Sequence, residues 1–497
     1  MADVTYNAAV WLVDRHVTVG DGDRVAIQYG DVQLTYSALQ RQVWRAQHAL
    51  AELGVRRTER VVLVLDDEPA WVAWFLGALR SGIVPVPLST MLTKAELEPV
   101  IVDSVAHTVV ASARHADKAG ASVVIDGDDW GGFHDGGEAA VAPTTADSPA
   151  FWLYSSGTTG RPKGVMHRHG APEATARTMG ETVLHIVRDD RFLAVPKLFF
   201  AYGLGTSMTF PFAVGGTAIL NPEPSSVAGV AELAVAYRPT VLAVSPGFVA
   251  AMLDANLAPD TLASVRVATS AGEALPADLH RRFTERFGVP LLDVLGSTEA
   301  LHCFVGNHEG RERPGTSGEA IAGYELKLLD ENGVEVTEPD TPGFLHVRGA
   351  SVATGYWSRF EATQAAFRGD WLKTGDVYTR SADAYWTFLG RNSDMIKAGG
   401  IWVSPAEVEA VLVEHPDVLE AAVVGPRDEQ GLEQVVAVVV PRAGREIDAA
   451  ALEAHCRERM AAFKRPRQVV VVETLPKTTT GKIRRFALRD AFAAGEL

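Results

Sequence analysis

Residues 151–164 read FWLYSSGTTGRPKG. Phe151 to Tyr154 form an apolar, β-prone run that leads directly into Ser155, Ser156, Gly157, Thr158, Thr159 and Gly160, residues that cannot build a core. Their hydroxyls and backbone N–H groups suit phosphate oxygens. Gly157, Gly160 and Gly164 let the backbone approach a ligand closely, Arg161 and Lys163 add positive charge, and Pro162 stiffens the exit. The spacing is not that of a Walker A loop, because no Gly-x-x-x-x-Gly-Lys-Ser/Thr pattern opens a helix here. A different nucleotide-binding loop at the end of a strand is implied.

Around this loop the chain alternates between two periods. VVLVL (61–65), PAWVAWFLGALRSG (69–82) and IVPVPL (83–88) read as a strand, a helix and a strand of a buried parallel sheet, with Trp71, Trp74 and Phe75 on the core face of the helix. Further strand-like runs at VVAS (109–112), SVVID, FLAV, TAIL, VLAV, VRVAT and PLLDVL are separated by helix-length segments. The first three-quarters therefore reads as doubly wound α/β. Gly127 to Asp147 reads as surface loop.

After Gly315 shorter strands and turn signals (Glu331-Asn332-Gly333, Thr341-Pro342-Gly343) suggest a small antiparallel, barrel-like β region. From Asp394 a capped helix (Ser404-Pro405-Ala406-Glu407) and the strands AAVVG, VVAVVV and VVVVE suggest an α+β unit. The expected division is residues 1–390 and 391–497, with the boundary near Ser393.

The 497 residues carry 62 acidic and 46 basic side chains, a net charge of −16, with 47% hydrophobic content. That balance fits a globular protein with more than one core and argues against nucleic acid or an anionic membrane as the main partner. Two cysteines, Cys303 and Cys456, support neither a disulfide framework nor a cysteine-based zinc site. With no apolar run long enough to span a bilayer, a cytoplasmic protein, monomeric or homodimeric, is expected.

The loop resembles the Ser/Thr/Gly-rich signature of the acyl-adenylate-forming superfamily of acyl-CoA ligases, luciferases and adenylation domains. Four further segments match it in the same order: SAGEALP (270–276), LGSTEALH (295–302), KTGD (373–376) with GRNSDMIKAGG (390–400), and PKTTTGKIRR (476–485). The resemblance implies ATP, Mg²⁺ and coenzyme A as cosubstrates and metal. Carried over by position, it implies that Glu299 and Thr158 attend the metal and that Ser155, Ser156, Gly157, Thr159, Gly160, Lys163, Ser297 and Thr298 attend the phosphates. Gly272 and Glu273 would line adenine, and Asp376 and Arg391 would hold the ribose. Lys482 would stabilise the adenylation transition state electrostatically. Gly399 and Gly400 would leave a channel for the pantetheine thiol once a mobile C-terminal domain has swung. Where the superfamily usually has Asp or Lys at the hinge, this chain has Ser393 followed by Asp394.

PKLFFAYGLG (196–205) resembles the benzoate-CoA ligase branch. That likeness implies an aryl pocket lined by Ala201, Tyr202, Ala271, Gly296, His302 and Cys303, gated by Phe200, with an aromatic acid as substrate. Benzoate ligases commonly carry a larger aliphatic residue where Cys303 stands, which leaves room for a ring substituent. His167 and His169, read as supporting or surface residues, are assigned no role. Three alternatives stay open: an aryl-adenylating enzyme that loads an acyl carrier protein, an ATP-dependent nitrite-activating enzyme that diazotises an aryl amine, and a non-catalytic nucleotide-binding regulator.

Overall fold

The computed structural model describes residues 5–156, 162–398, 401–427, 433–477 and 483–497. Its largest unit is a nine-stranded sheet in the order Glu319–Ala320, Cys303–Gly306, Leu291–Gly296, Val267–Ser270, Val241–Val244, Arg191–Ala194, Thr217–Leu220, Val25–Tyr29 and Val32–Thr35. The strands from Leu291–Gly296 through Val25–Tyr29 run parallel, and antiparallel strands finish both edges. Parallel strands buried on both faces read as continuous apolar runs, which is why TAIL and VLAV lack alternation. Every residue of those two strands is buried.

A second, four-stranded parallel sheet is ordered Val84–Pro87, Arg60–Val64, Thr108–Ser112 and Val123–Ile125. Helix Pro69–Arg80 connects its first two strands in sequence. This helix starts with Pro at its first turn, where a missing N–H costs nothing. Trp71, Trp74 and Phe75 are fully buried, each contributing on the order of 2 kcal/mol of apolar transfer. Trp74 also meets Trp130, with ring centroids 5.9 Å apart, and Arg45, Gln47 and Arg80 donate to backbone carbonyls of Phe133, Ala140 and Ala139, so the loop 127–147 is tied down although it carries no helix or ladder strand.

The antiparallel region is a five-stranded sheet built from Tyr324–Leu329, Gly343–Gly349, Phe367–Arg368, Trp371–Arg380 and Trp386–Arg391. Beyond it, Val418–Val424, Val436–Pro441 and Gln468–Val471 form a three-stranded mixed sheet. Its parallel pair requires a crossover, supplied by helix Ala449–Arg459. Ser404 caps helix Pro405–Val413 by accepting from Glu407 N at 3.1 Å, and its hydroxyl also donates to the Leu389 carbonyl. A small apolar core of this region contains Ile396, Val403, Val408, Leu412, Val423 and Val439. Among the described residues no helix is long and apolar enough to cross a membrane.

Candidate active site

Strand Pro149–Ser156 and strand Pro162–Arg168 form an antiparallel pair, with Ser155 opposite Lys163 and Tyr154 opposite Gly164. Phe151, Trp152 and Leu153 are buried, which fixes the strand and delivers Ser155 at its end. The return strand is held on its other side by the segment 354–357. Met166 N donates to Gly355 O at 3.0 Å, Thr354 N to Met166 O at 3.0 Å, and Trp357 N to Gly164 O at 2.8 Å. Trp357 is further pinned by its indole N–H on Asp103 O at 3.0 Å.

This scaffold brings Tyr356 and Ser155 together over Glu299. The Tyr356 hydroxyl donates to Glu299 Oε1 at 3.0 Å, and Ser155 Oγ donates to the same oxygen at 3.3 Å. Lys163 Nζ lies 5.1 Å from the centre of the Tyr356 ring. Burial, then the Glu299 charge, pushes the Tyr356 phenol up, so the ring stays a neutral donor. A single carboxylate beside hydroxyls suits Mg²⁺, which keeps several waters and shares substrate phosphates instead of demanding an all-protein cage. Among the described residues no three His, Cys, Asp or Glu side chains form such a cage. Ser297 Oγ accepts from Ala300 N at 3.2 Å and Thr298 O from Leu301 N at 3.1 Å, which turns the chain sharply around Glu299.

Asp376 and Arg391 are cross-strand partners, with Arg391 Nε 3.0 Å from Asp376 Oδ1. Asp376 is 4% exposed. Gly375, with φ +83°, lies at an irregularity inside strand Trp371–Arg380 next to Asp376, and Arg391 also donates to Thr374 O at 3.1 Å. The charge of Asp376, with a smaller contribution from Glu299, outweighs burial and holds the guanidinium firmly protonated. Gly272 (φ +99°) and Glu273 lie exposed just beyond strand Val267–Ser270. The guanidinium of Arg485, on the last helix, is close enough to sense the Glu273 charge.

Of the residues named for the aryl pocket, Ala271 and Gly296 sit at the C-terminal ends of two neighbouring parallel strands, the usual ligand edge of an open α/β sheet, while Ala201 and Tyr202 lie on a short helix and Cys303 opens an antiparallel strand. Gly296 pairs with Cys303 across the ladder, and a Cβ at Gly296 would stand 2.5 Å from His302 O. His302 is 2% exposed, 4.7 Å from the Phe210 ring and 5.6 Å from the Tyr202 ring. Burial pushes its imidazole down to about 3, so it is neutral at any ordinary pH. The Tyr202 hydroxyl is 2.6 Å from Thr269 Oγ1. Ala271 and Cys303 are buried, and burial followed by the Asp293 charge raises the Cys303 thiol out of the reactive range. Ala201 opens the helix Ala201–Leu204, and half-buried Phe200 meets Phe199 edge-on at 4.5 Å.

Gly157, Thr158, Thr159, Gly160, Arg161, Gly399, Gly400 and Lys482 lie outside the described residues, as does the side chain of Ser156. Of the two readings open for His167 and His169, supporting or surface, the structure excludes the surface one: they are 1% and 0% exposed. His167 stacks on Phe151 at 5.0 Å, and His169 Nδ1 accepts from Ala8 N at 3.2 Å. Burial lowers them to about 3 and about 4 respectively. Both sit on or beside the central hairpin, where an aromatic ring packs and a charged group would not.

Two contributors escaped the sequence reading. Tyr356 lies in TGYW, which reads only as a turn, and its partner Glu299 is 57 positions away. Gly205 makes room for His302, since a Cβ there would fall 2.2 Å from His302 Cδ2. The glycine pair in YGLG was the available signal for the second.

Residues 14–357 match the AMP-binding enzyme family, and residues 407–482 match the AMP-binding enzyme C-terminal domain. The chain is 39% identical to the benzoate–CoA ligase of Thauera aromatica, over 98% of this chain and 96% of the relative. It superposes on the anthranilate CoA ligase AuaEII in complex with anthranoyl-AMP with a TM-score of 0.93 at 35% identity, covering 99% of this chain and 98% of that one. Against a benzoate CoA ligase from Burkholderia xenovorans LB400 the TM-score is 0.89 at 38% identity, covering 97% and 100%. The chain belongs to the AMP-binding enzyme family, the acyl-adenylate-forming superfamily, in its benzoate–CoA ligase-like branch.

Proposed function

We propose that the protein is an AMP-forming ligase that joins an aromatic carboxylic acid, benzoate or a substituted benzoate, to coenzyme A through an aryl-AMP intermediate. The observation that carries this reading is that buried His302 and Cys303 lie on the same short segment as Glu299, with the Tyr202 ring 5.6 Å from that of His302. Residues 297–303 thus serve both the acid and the nucleotide.

In the first half-reaction the aryl carboxylate oxygen attacks the α-phosphorus of ATP, the bond to the leaving pyrophosphate breaks, and aryl-AMP forms. Tyr356 and Ser155 orient the Glu299 carboxylate through two hydrogen bonds. When bound there, Mg²⁺ would neutralise charge on the phosphates. Asp376 accepts from the ribose hydroxyls while Arg391 holds that carboxylate in place. Lys482 supplies the cation that stabilises negative charge as the α-phosphate reacts.

In the second half-reaction the thiolate of coenzyme A attacks the activated carbonyl carbon and AMP leaves. The C-terminal domain beyond Arg391 rotates about a hinge near Ser393 between the two steps. Support for this pivot comes from its two flanks: Arg391 is tied to Asp376 on one side, and Asp394 is tied to Arg489 at 2.9 Å on the other. Mass-spectrometric detection of aryl-CoA and AMP from ATP, coenzyme A and a panel of benzoates tests the proposal. Aryl-AMP that accumulates whether or not coenzyme A is present would point to a carrier-protein acceptor instead.

A further inference from the structure

A cluster of ionisable side chains lies outside the machinery described above, on the loop between strand Arg60–Val64 and helix Pro69–Arg80. Asp66 is engaged by Arg114 at 2.6 Å and by His115 at 2.9 Å, and Glu68 accepts from Ser112 Oγ at 2.8 Å. Asp67, between them, does something different. Its carboxylate is 5% exposed, and both of its oxygens face the backbone N–H of Leu198, at 3.1 and 3.3 Å. The two residues are 131 positions apart.

Leu198 belongs to the turn that delivers Phe200. Phe200 N donates to Lys197 O at 3.0 Å, and Leu204 N donates to Phe200 O at 2.7 Å. A Cβ at Gly203 would sit 2.1 Å from Lys197 O, so the turn is packed hard against the helix that follows. Lys197 ties down the start of the turn, donating to Asn221 O and Glu223 O, each at 2.6 Å. Neither side of this arrangement carries an obvious packing reason for a buried carboxylate. An apolar or hydroxyl residue would fill the space without the cost of burying a charge.

We propose that Asp67 is a positioning residue for the aryl pocket: by holding the Leu198 N–H it fixes the turn that carries Phe200, and so sets which ring substituents the pocket admits. The inference rests on the aromatic-acid reading above. The groups facing Asp67 are Asp66 and Glu68 on its own loop and Lys197 on the opposite turn, with Arg114, His115 and Glu223 behind them. Burial pushes the Asp67 carboxyl up to about 7, and Lys197 opposes that rise. The carboxylate accepts more strongly than the carboxyl, so the hold on Leu198 strengthens as pH rises through that value.

The test measures KM for benzoate, KM for ATP and the relative kcat/KM for benzoate and a bulkier para-substituted benzoate in the wild type, Asp67→Ala and Asp67→Asn. Asp67→Ala should raise KM for the acid about tenfold and narrow the preference between the two acids, with KM for ATP within about twofold of wild type. Asp67→Asn keeps an oxygen acceptor and should recover most of the acid KM. In the wild type that KM should also rise at least about twofold from about pH 8 to about pH 6, a limb absent in Asp67→Asn, which reads the idea even if the alanine variant does not fold. Equal rises in both KM values, or an Asp67→Asn profile parallel to wild type, would overturn it. Wild-type enzyme that makes no aryl-CoA or aryl-AMP from any benzoate would remove the functional reading beneath it.

Discussion

Asp376 and Arg391 face each other across adjacent strands, with Nε and Oδ1 3.0 Å apart, at the last position of their ladder before the proposed pivot. Under the proposed function the pair would couple nucleotide binding to the start of the C-terminal region. Asp376→Asn should therefore raise KM for ATP by about 10- to 100-fold, the size of a lost charge-assisted hydrogen bond, while leaving KM for the acid within about threefold. Pyrophosphate release followed at varied ATP is the check.

Glu299 and Tyr356 separate a metal effect from an orienting effect. Glu299→Gln should lower kcat/KM by at least about 100-fold and shift the Mg²⁺ requirement upward. Tyr356→Phe removes one donor to the same carboxylate and should cost only about five- to tenfold, with the Mg²⁺ optimum moved in the same direction. A Mg²⁺ titration of both variants distinguishes them.

Three buried histidines predict an acid-side loss of stability. In the native chain His167, His169 and His302 are held neutral, at about 3, about 4 and about 3. Unfolded, each would take a proton below about 6.5. Their contribution is therefore fully present above that pH and lost as pH falls toward the native values, with a slope of up to about 1.4 kcal/mol per pH unit for each. Thermal unfolding between about pH 7.5 and pH 5 should show the decline, and His167→Gln should make it shallower.

Cys303 gives a specificity prediction. Cys303→Ile fills volume in a wall that is already buried, so activity toward ring-substituted benzoates should fall about tenfold relative to benzoate. The ratio of kcat/KM values for the two acids is the readout.

Particular residues show what the sequence made legible. The buried strands TAIL and VLAV and the helix bearing Trp71, Trp74 and Phe75 announced themselves because burial on two faces leaves a continuous apolar pattern. Glu299, Asp376 and the aryl wall could be named because each sits in a recognisable local motif. Tyr356 could not, since its contact with Glu299 arises only when the return strand of the hairpin pairs with residues 354–357. Asp67 was hidden for the same reason, its partner Leu198 being brought near by the fold alone. For His167 and His169 the choice between supporting and surface positions stayed open because single polar residues in or beside a strand give no sign of which face is buried.

The most direct test of the central claim is a paired half-reaction measurement on wild type and Lys482→Ala, following aryl-AMP and aryl-CoA by mass spectrometry. Wild type should convert ATP, coenzyme A and benzoate or a substituted benzoate into aryl-CoA. Lys482→Ala should make little aryl-AMP from ATP yet still form aryl-CoA from supplied aryl-AMP and coenzyme A. No thioester from wild type with any aromatic acid, or equal loss of both steps in the variant, would contradict the account.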